Sequence, residues 1–242
     1  MIKMGHKSDK KLIIDGKRAD GRAFDQLREI EMKVDVVNRA HGSAMVRFGN
    51  TVAVAAVHGP RELFPKFMQE QASGILRVRY NMAPFSVNDR KSPGPDRRST
   101  EISKVARLSL DSALFLEDFP KATIDVFIEV LQADGSTRVT GINAASLALA
   151  DAGVPMKDLV CACSVGKVDG QIVADLNGIE DNFGETDMAI AMQPGKNKIT
   201  LMQMDGIVTK DEFERLVKLA TESCKKIYEM QKRVLKEKYK RS

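Results

Sequence analysis

The sequence predicts an α+β fold built from two sheet-and-helix halves, and three observations support this prediction. Short runs of alternating apolar and polar residues are typical of half-buried strands. Two helical patterns interrupt these runs, and a long amphipathic pattern ends the chain. The resulting order is strands, helix, strand, helix, strands and helix, which favours the α+β class. We expect residues 1–10 to be a mobile, lysine-rich arm and residues 11–242 to form a single domain with a long C-terminal helix.

The first predicted sheet begins as an antiparallel meander. Residues 27–36 alternate apolar with charged side chains, and glycine turns then lead into strands at 43–48 and 52–57. Residues 59–74 predict a long irregular loop, which is followed by another strand at 76–80.

A proline-rich irregular stretch, residues 84–98, precedes the first predicted helix. Ser99 or Thr100 is expected to cap this helix, and its apolar stripe runs to Leu114. A strand at 124–130 then leads into a helix of small residues.

The second half combines this small-residue helix with a further sheet. The hairpin signal Asp169-Gly170 joins the first two strands of that sheet. The elements expected here are a helix at about 139–152, strands at 161–168, 171–174, 188–192 and 199–204, and a helix at about 210–238.

The composition is that of a soluble globular protein with a mild excess of positive charge. The chain has 242 residues and a net charge of +5, with a pI of about 9.0, which favours a polyanionic partner. Much of the excess lies at the two ends and therefore does not define a basic groove. We interpret the lysine-rich end of the last helix as a solvated face rather than a nucleic-acid patch.

Several kinds of site are disfavoured by the remaining residues. The three cysteines, Cys161, Cys163 and Cys224, are too few and too badly spaced for a zinc cage, and the first two are expected to point into a core. No histidine lies beside a serine or cysteine in a known nucleophile motif. No apolar run has the length of a signal peptide or a membrane span, so we expect a cytoplasmic protein.

Four carboxylates lie close together in the segment 175–191. Glu180, Asp181, Glu185 and Asp187 would repel one another, at about 3 kcal/mol for a pair roughly 5 Å apart in an effective dielectric of about 20. A divalent cation would relieve this repulsion, and ligands that are all oxygen point to Mg²⁺ or Mn²⁺. A solvated acidic turn is the alternative that these residues leave open.

Two segments carry the features of anion sites. Gly135, Ser136, Thr137 and Arg138 lie between a predicted strand and a predicted helix, where free backbone N–H groups and three side chains could hold a phosphate ion. The pattern lacks the spacing of a Walker loop, and an ordinary serine or threonine helix cap is the alternative. The Arg97-Arg98 pair precedes another helix, where two guanidinium groups could bind a phosphodiester.

These segments together indicate phosphoryl transfer. Two cationic helix starts beside an acidic segment could bring an inorganic phosphate and a nucleic-acid phosphate together near a cation. Such a reaction depends on positioning and charge neutralisation and needs no covalent nucleophile.

Four separated motifs resemble those of the RNase PH family, and within it those of the catalytic RNase PH-like subunits of the archaeal exosome. The resemblance covers residues 11–230 in the right order. The motifs are Asp20-Gly-Arg22 followed by Asp25-Gln-Leu-Arg28, PGPDRRSTE at 93–101, LQADGSTRVTGINAASLAL at 131–149, and EDNFGETDM at 180–188. Glu29 departs from relatives that carry proline at this point.

This resemblance implies an RNase PH-type fold and a phosphorolytic 3′→5′ exoribonuclease. Such enzymes release nucleoside diphosphates and can add RNA tails in reverse. The implied roles are RNA binding near the 3′ end by Arg97 and Arg98, phosphate binding by Gly135, Ser136, Thr137 and Arg138, Mg²⁺ or Mn²⁺ binding by Asp187 with Asp181, and acid or charge-stabilising catalysis by Asp181.

The resemblance also implies an assembly. A related inactive subunit would alternate with this chain in a hexameric ring, and separate RNA-binding subunits would cap the ring. Arg61 and Lys66 would then face the central pore and contact RNA. Two alternatives remain open: a homohexameric RNase PH that trims tRNA 3′ ends, and a non-catalytic ring subunit that only binds RNA. Hydrolysis by water is disfavoured because the phosphate site would then have no role.

Overall fold

The structure is a computed structural model that describes residues 11–14, 16–89 and 91–240. The predicted mobile arm, residues 1–10, lies outside the described residues. The strands are β1 (Ile13–Ile14), β2 (Lys17–Arg18), β3 (Ile30–Val34), β4 (Gly42–Phe48), β5 (Thr51–Glu62), β6 (Ile75–Met82), β7 (Ala122–Gln132), β8 (Cys161–Val168), β9 (Gln171–Ala174), β10 (Thr186–Gln193) and β11 (Lys198–Gly206). The helices are α1 (Arg97–Asp111), α2 (Thr137–Asp151), α3 (Gly178–Phe183) and α4 (Lys210–Lys240).

The first half contains a five-stranded sheet with the order β3-β4-β5-β7-β6. The predicted meander β3-β4-β5 is confirmed, and its pairs are antiparallel, as is the pair β5-β7. Strand β6 alone runs parallel to its neighbour β7. Helix α1 packs against β6, while α2 packs against β4 and β5.

The second half contains an antiparallel four-stranded sheet with the order β11-β10-β8-β9. The β8-β9 hairpin turns at Asp169 and Gly170, whose φ values of 46° and 75° match the predicted hairpin signal. Helix α4 packs against β8, β9 and β10.

Helix α2 joins the two halves through a common core. It contacts strands of both sheets, and nearly all of its residues are buried. The main hydrophobic cluster includes Val46 and Val126 of the first sheet, Cys161 of the second and Ile227 of α4. The close approach of α2 depends on Gly42, because a Cβ there would lie 2.1 Å from the Ala152 nitrogen. Cys161 and Cys163 are fully buried, as expected.

The structure corrects two element boundaries in the first half. Strand β5 continues to Glu62, so the stretch 59–74 is not wholly irregular. Pro60 is tolerated because the pairing with β7 shifts register between His58 and Arg61, where no ladder N–H is needed. Helix α1 starts at Arg97, because the Asp96 carboxylate rather than a hydroxyl provides the cap.

Two further elements were not expected. The segment predicted as an acidic loop contains the short helix α3, because Asn177 accepts hydrogen bonds from the Ile179 and Glu180 backbone and initiates a helical turn. The N-terminal segment forms the β1-β2 hairpin. Among the described residues, no helix is both long and apolar enough to cross a membrane.

Candidate active site

Two adjoining clefts lie where the helices α1, α2 and α3 begin. They share Arg98, Asp181 and Asn182 and have volumes of about 480 and 460 Å³. The first cleft is lined by Met82, Val87, Asn88, Lys91, Ala133, Asp134, Gly135, Thr137, Gly178, Ile179 and Phe183 in addition to the shared residues. The second cleft is lined by Glu101, Arg138, Gly184, Glu185, Thr186, Asp187, Gln203, Met204, Asp205 and Gly206 in addition to the shared residues. The structure therefore brings the predicted phosphate, RNA and acidic segments to one place.

The start of α2 has no side-chain cap. Ser136 occupies the N-cap position with φ of 56°, and its side chain accepts no hydrogen bond from the helix. Its hydroxyl instead donates to the Leu176 carbonyl at 2.6 Å and contacts the Ser164 hydroxyl. The alternative of an ordinary serine cap is therefore wrong. The Ser136 hydroxyl is also unavailable to a phosphate, so only its backbone could contribute.

Gly135 allows the starts of α2 and α3 to touch. Its φ is +72°, and a Cβ there would lie 2.5 Å from the Asn177 carbonyl carbon. Asp134 also stabilises the contact between the starts of α2 and α3. Its carboxylate accepts hydrogen bonds from the Gly178 N–H at 3.0 Å and from the Asn50 amide at 3.2 Å. The first N–H groups of α3 are bonded to Asp134 and Asn177, so it is the uncapped start of α2 that offers free donors to an anion at the first cleft.

Two buried polar groups at this helix start lack a partner within the described chain. They are the Nε of Arg138 and the Thr137 hydroxyl. The Thr137 hydroxyl lies beside the buried Tyr80 hydroxyl, where it opposes the rise in the Tyr80 pKa that burial causes. A buried donor without a partner costs about 1–3 kcal/mol, and such groups are rare in folded proteins. Thr137 lines the first cleft and Arg138 the second. Both groups fit an anionic ligand that would satisfy them.

The four carboxylates of the acidic segment have different environments. Glu180 is buried and paired with Arg18, and Glu185 lies 3.4 Å from the Lys167 ammonium. These two residues are therefore structural rather than metal ligands. Asp181 on α3 and Asp187 on β10 are half-buried and face the second cleft.

Within the described chain, Asp187 and Asp181 form no ion pair with a lysine or arginine, although Arg138 and Arg98 act on Asp187. Burial and the neighbouring Asp181 carboxylate raise the pKa of Asp187 to about 7, against the opposing effect of Arg138 and Arg98. A cation beside the two carboxylates would relieve this strain. Within the described ranges, no group of three or more His, Cys, Asp or Glu side chains could hold a metal. The pair fits Mg²⁺ or Mn²⁺, since Mg²⁺ commonly binds one or two carboxylates together with substrate phosphates.

The two predicted RNA-binding arginines of α1 are not equivalent. Arg98 lines both clefts, whereas Arg97 lines neither. Their position is fixed by Asp96, which accepts a hydrogen bond from the Ser99 N–H at 2.6 Å. This bond and those from Lys91 and the Ser99 side chain lower the pKa of Asp96 to about 2, so the cap stays charged at neutral pH.

Arg61 and Lys66 lie outside both clefts. Arg61 is in β5, where its Nε donates to the Asp125 carboxylate at 3.1 Å. Lys66 opens a short 3₁₀ turn and is exposed beside Phe67, which is 87% exposed. Their predicted contact with RNA stays a prediction and would occur away from the clefts.

Several lining residues were not found by sequence reasoning. Lys91 lies in the basic stretch before α1, so its charge and position were a usable signal. Gln203 and Asp205 come from β11, and Asp205 lies opposite Asp187 in the β10-β11 pair. The sequence gives no local signal for this juxtaposition, because it depends on which strands pair.

The comparisons identify the class of protein. Residues 26–155 match domain 1 of the 3′ exoribonuclease family, the RNase PH family, and residues 158–223 match its domain 2. The chain belongs to this family, which confirms the predicted resemblance.

Close relatives give a narrower likeness. The chain is 60% identical over 237 residues to the "Exosome complex component Rrp41" of Thermococcus kodakarensis, covering 98% of this chain and 95% of that protein. It is 61% identical over 225 residues to the protein of the same description from Pyrococcus furiosus, covering 93% and 90%.

Solved structures confirm the fold class. The structure of Rrp46 from rice matches with a TM-score of 0.79 at 24% identity, covering 89% of this chain and 98% of that one. The Archaeoglobus fulgidus exosome with RNA bound to the active site matches with a TM-score of 0.79 at 24% identity, covering 89% and 93%. At this identity the matches show a common α+β, RNase PH-type fold.

Proposed function

We propose that this chain is the catalytic subunit of an archaeal exosome, a phosphate-dependent 3′→5′ exoribonuclease. It would release nucleoside diphosphates from RNA and, in reverse, add RNA tails. The near full-length likeness to archaeal exosome components supports the assembly. RNA and phosphate are both available in the cytoplasm, which we propose as its compartment.

The observation that carries the phosphorolytic mechanism is the uncapped start of α2 with the unsatisfied Nε of Arg138. A nuclease that used water would need no anion site besides the one for the RNA phosphate. Here Thr137 and Arg138 offer buried hydrogen-bond donors within the same pair of clefts as Arg98. Two cationic positions favour two anions, an inorganic phosphate and a phosphodiester.

The proposed reaction transfers the terminal nucleotide of RNA to phosphate. An oxygen of inorganic phosphate bonds to the phosphorus of the 3′-terminal nucleotide, and the bond from that phosphorus to the 3′ oxygen of the preceding nucleotide breaks. Thr137 and Arg138 would hold the attacking phosphate, and Arg98 would hold the phosphodiester. Asp181 would act on the departing 3′ oxygen either as the acid that protonates it or, when ionised, by holding with Asp187 the cation that stabilises its negative charge.

The half-buried carboxylates would hold the metal. Asp187, with Asp181, would bind Mg²⁺ or Mn²⁺, which when bound neutralises charge on the phosphate oxygens. The residues of the chain would meanwhile orient the two phosphates so that the attacking oxygen lies opposite the bond that breaks.

The proposed assembly is a hexameric ring in which this chain alternates with a related inactive subunit, capped by RNA-binding subunits. Arg61 and Lys66 would contact RNA on its way through the ring. The native mass of the chain, alone and with its partner subunit, distinguishes this ring from a homohexameric RNase PH.

The experiment that tests the activity identifies the released nucleotide. Single-stranded RNA with a free 3′ end is incubated with Mg²⁺ and the chain, alone and with the partner subunit, with and without inorganic phosphate. We expect nucleoside diphosphates only when phosphate is present, and none from an Asp187→Asn variant that still binds RNA. Monophosphates released without phosphate would mean hydrolysis. No product even with the partner would favour the non-catalytic subunit.

A further inference from the structure

Helix α3, which carries Asp181, is attached to the protein by a glutamate rather than by apolar side chains. Glu180 is the only buried residue of this six-residue helix and is 1% exposed. Its apolar residues face outward, with Ile179 52% and Phe183 45% exposed. Because so short a helix has no stability of its own, its orientation depends on the contacts of Glu180 and on the bond between the Gly178 N–H and Asp134.

The nearer charged partner of Glu180 is Arg18 from the β1-β2 hairpin, and the Arg22 guanidinium lies farther away, with Nη2 3.6 Å from Oε2. Arg18 is 2% exposed, and its guanidinium forms a two-pronged pair with the Glu180 carboxylate, with Nε at 2.7 Å from Oε1. The same guanidinium donates to the backbone carbonyls of Ala174 and Asp175. The second Glu180 oxygen also accepts the Asn177 N–H at 3.0 Å, which completes the cap of α3. Arg18 thus ties the helix that carries Asp181 to the end of β9, and Arg22 reaches the same Asp175 carbonyl at 3.0 Å.

A second arginine ties the other side of the site to the same anchor. Arg28 holds the fully buried Asp175 carboxylate through two bonds, at 2.9 and 2.7 Å. Its remaining nitrogen donates to the Asp134 carbonyl at 2.7 Å, one residue before Gly135. The N-terminal segment therefore reaches both α3 and the loop from Gly135 to Arg138.

The hairpin itself is fixed to the second half of the chain. The Leu12 and Ile13 N–H groups donate to the Asp169 carboxylate at 2.6 and 2.9 Å. Leu12 is buried against Val168 and Leu176. These contacts hold Arg18 in place beside Glu180.

We propose that Arg18 and Glu180 form a positioning pair that orients α3, so that Asp181 faces the loop from Gly135 to Arg138 while Arg28 fixes that loop from the same side. This inference rests on the proposed phosphorolytic function. Neither residue lines a cleft, so the pair acts through Asp181 and does not touch substrate.

The role of the pair in orienting α3 can be tested apart from its role in stability by replacing both residues with apolar ones. Two apolar side chains of similar volume often replace a buried ion pair with little loss of stability or a gain. They cannot reproduce the directional two-pronged contact, or the Glu180 bond to the start of α3. Misplacement of a reacting group by about 1 Å can lower a rate by about 100-fold.

The test compares Arg18→Met/Glu180→Met with the wild type and with Gln231→Met. Gln231 is fully buried and bonds Asn143 and Cys161 away from the clefts, so this variant is a matched loss of a buried polar side chain. Each variant is assembled with the partner subunit. The measurements are nucleoside diphosphate release at saturating RNA and phosphate, the KM for RNA, and the melting temperature.

We expect the double variant to melt cooperatively but below the wild type, because the Ala174 and Asp175 carbonyls and the Asn177 N–H lose their partners. Its kcat should fall by about 10- to 100-fold, with the KM for RNA within about threefold. Gln231→Met should retain the wild-type kcat. A double variant that keeps at least half of the wild-type kcat overturns the positioning role. The role is also overturned if Gln231→Met loses as much kcat as the double variant for the same decrease in melting temperature. If the double variant does not melt cooperatively, Glu180→Gln provides the same comparison. A wild type that releases no nucleoside diphosphate contradicts the proposed function instead.

Discussion

Replacing Asp187 by asparagine should stabilise the metal-free protein above neutral pH. Burial and the charge of Asp181 raise the pKa of Asp187 from 3.8 to about 7. The folded protein therefore holds a proton that the unfolded chain has already released, and the folded state loses stability as the pH rises from about 4 to about 7. A pKa shift of one unit corresponds to about 1.4 kcal/mol, so the full loss in the free energy of unfolding is about 4 kcal/mol. Because the side chain is only half-buried and solvent screens its charge, we expect about half of this, ~2 kcal/mol.

Thermal melts in EDTA at pH 5 and pH 8 measure this effect. In a chain of this size ~2 kcal/mol raises the melting temperature by about 4–8 °C, and the gain should fall below about 1 kcal/mol at pH 5. Added Mg²⁺ should stabilise the wild type at pH 8 but not Asp187→Asn. Glu185→Gln is the control, because that exposed carboxylate already has Lys167 as its partner. Equal gains at both pH values, or no gain at pH 8, would refute the reasoning.

Three further predictions concern the anion sites and the start of α1. Arg98→Glu should weaken binding of single-stranded RNA by about tenfold or more and reduce the slope of log affinity against log salt concentration by about one, whereas Arg97→Glu should have a smaller effect. Fluorescence anisotropy over a salt series measures both variants. Equal losses of affinity would contradict the assignment of Arg98 to the clefts. Thr137→Val should raise the KM for phosphate several-fold with little change in melting temperature, because within the described chain the hydroxyl has only the Tyr80 hydroxyl beside it and forms no well-aligned hydrogen bond. An unchanged KM would count against the phosphate site. Asp96→Ala should cost about 1 kcal/mol in urea denaturation because the cap is lost, and Thr100→Ala should cost less if Asp96 is the cap.

Local signals accounted for much of the fold. The bounds of β8 and β9 agree with the prediction because the Asp169-Gly170 turn adopts the two positive φ values that its sequence favours. Helix α2 was predicted from its small residues and the glycine that follows it. Arg98 and Arg138 were predicted to lie directly before two helices; in the structure they lie in the first turns of α1 and α2 and line the clefts.

Pairing between distant parts of the chain could not be predicted in this way. Strand β6 lies parallel to β7 although α1 separates them in sequence, and β5 extends because β7 is long enough to pair with its end. Asp205 reaches the second cleft only through its pairing with β10. The position of the N-terminal hairpin also depends on a distant contact, because Arg18 and its partner Glu180 are 162 residues apart in the sequence.

The acidic segment shows why the spacing of carboxylates in a sequence overestimates the number of metal ligands. Four carboxylates within eight residues repel one another equally in the sequence, but two of them have cations supplied by distant residues, Arg18 and Lys167. Within the described chain, neither Asp181 nor Asp187 forms an ion pair with a lysine or arginine. Charge that the fold neutralises is structural, whereas charge that it leaves unpaired in a cleft needs a ligand. By this criterion we propose one cation beside the two aspartates and anions beside Arg98 and Arg138, which is the set of partners that phosphorolysis of RNA would provide.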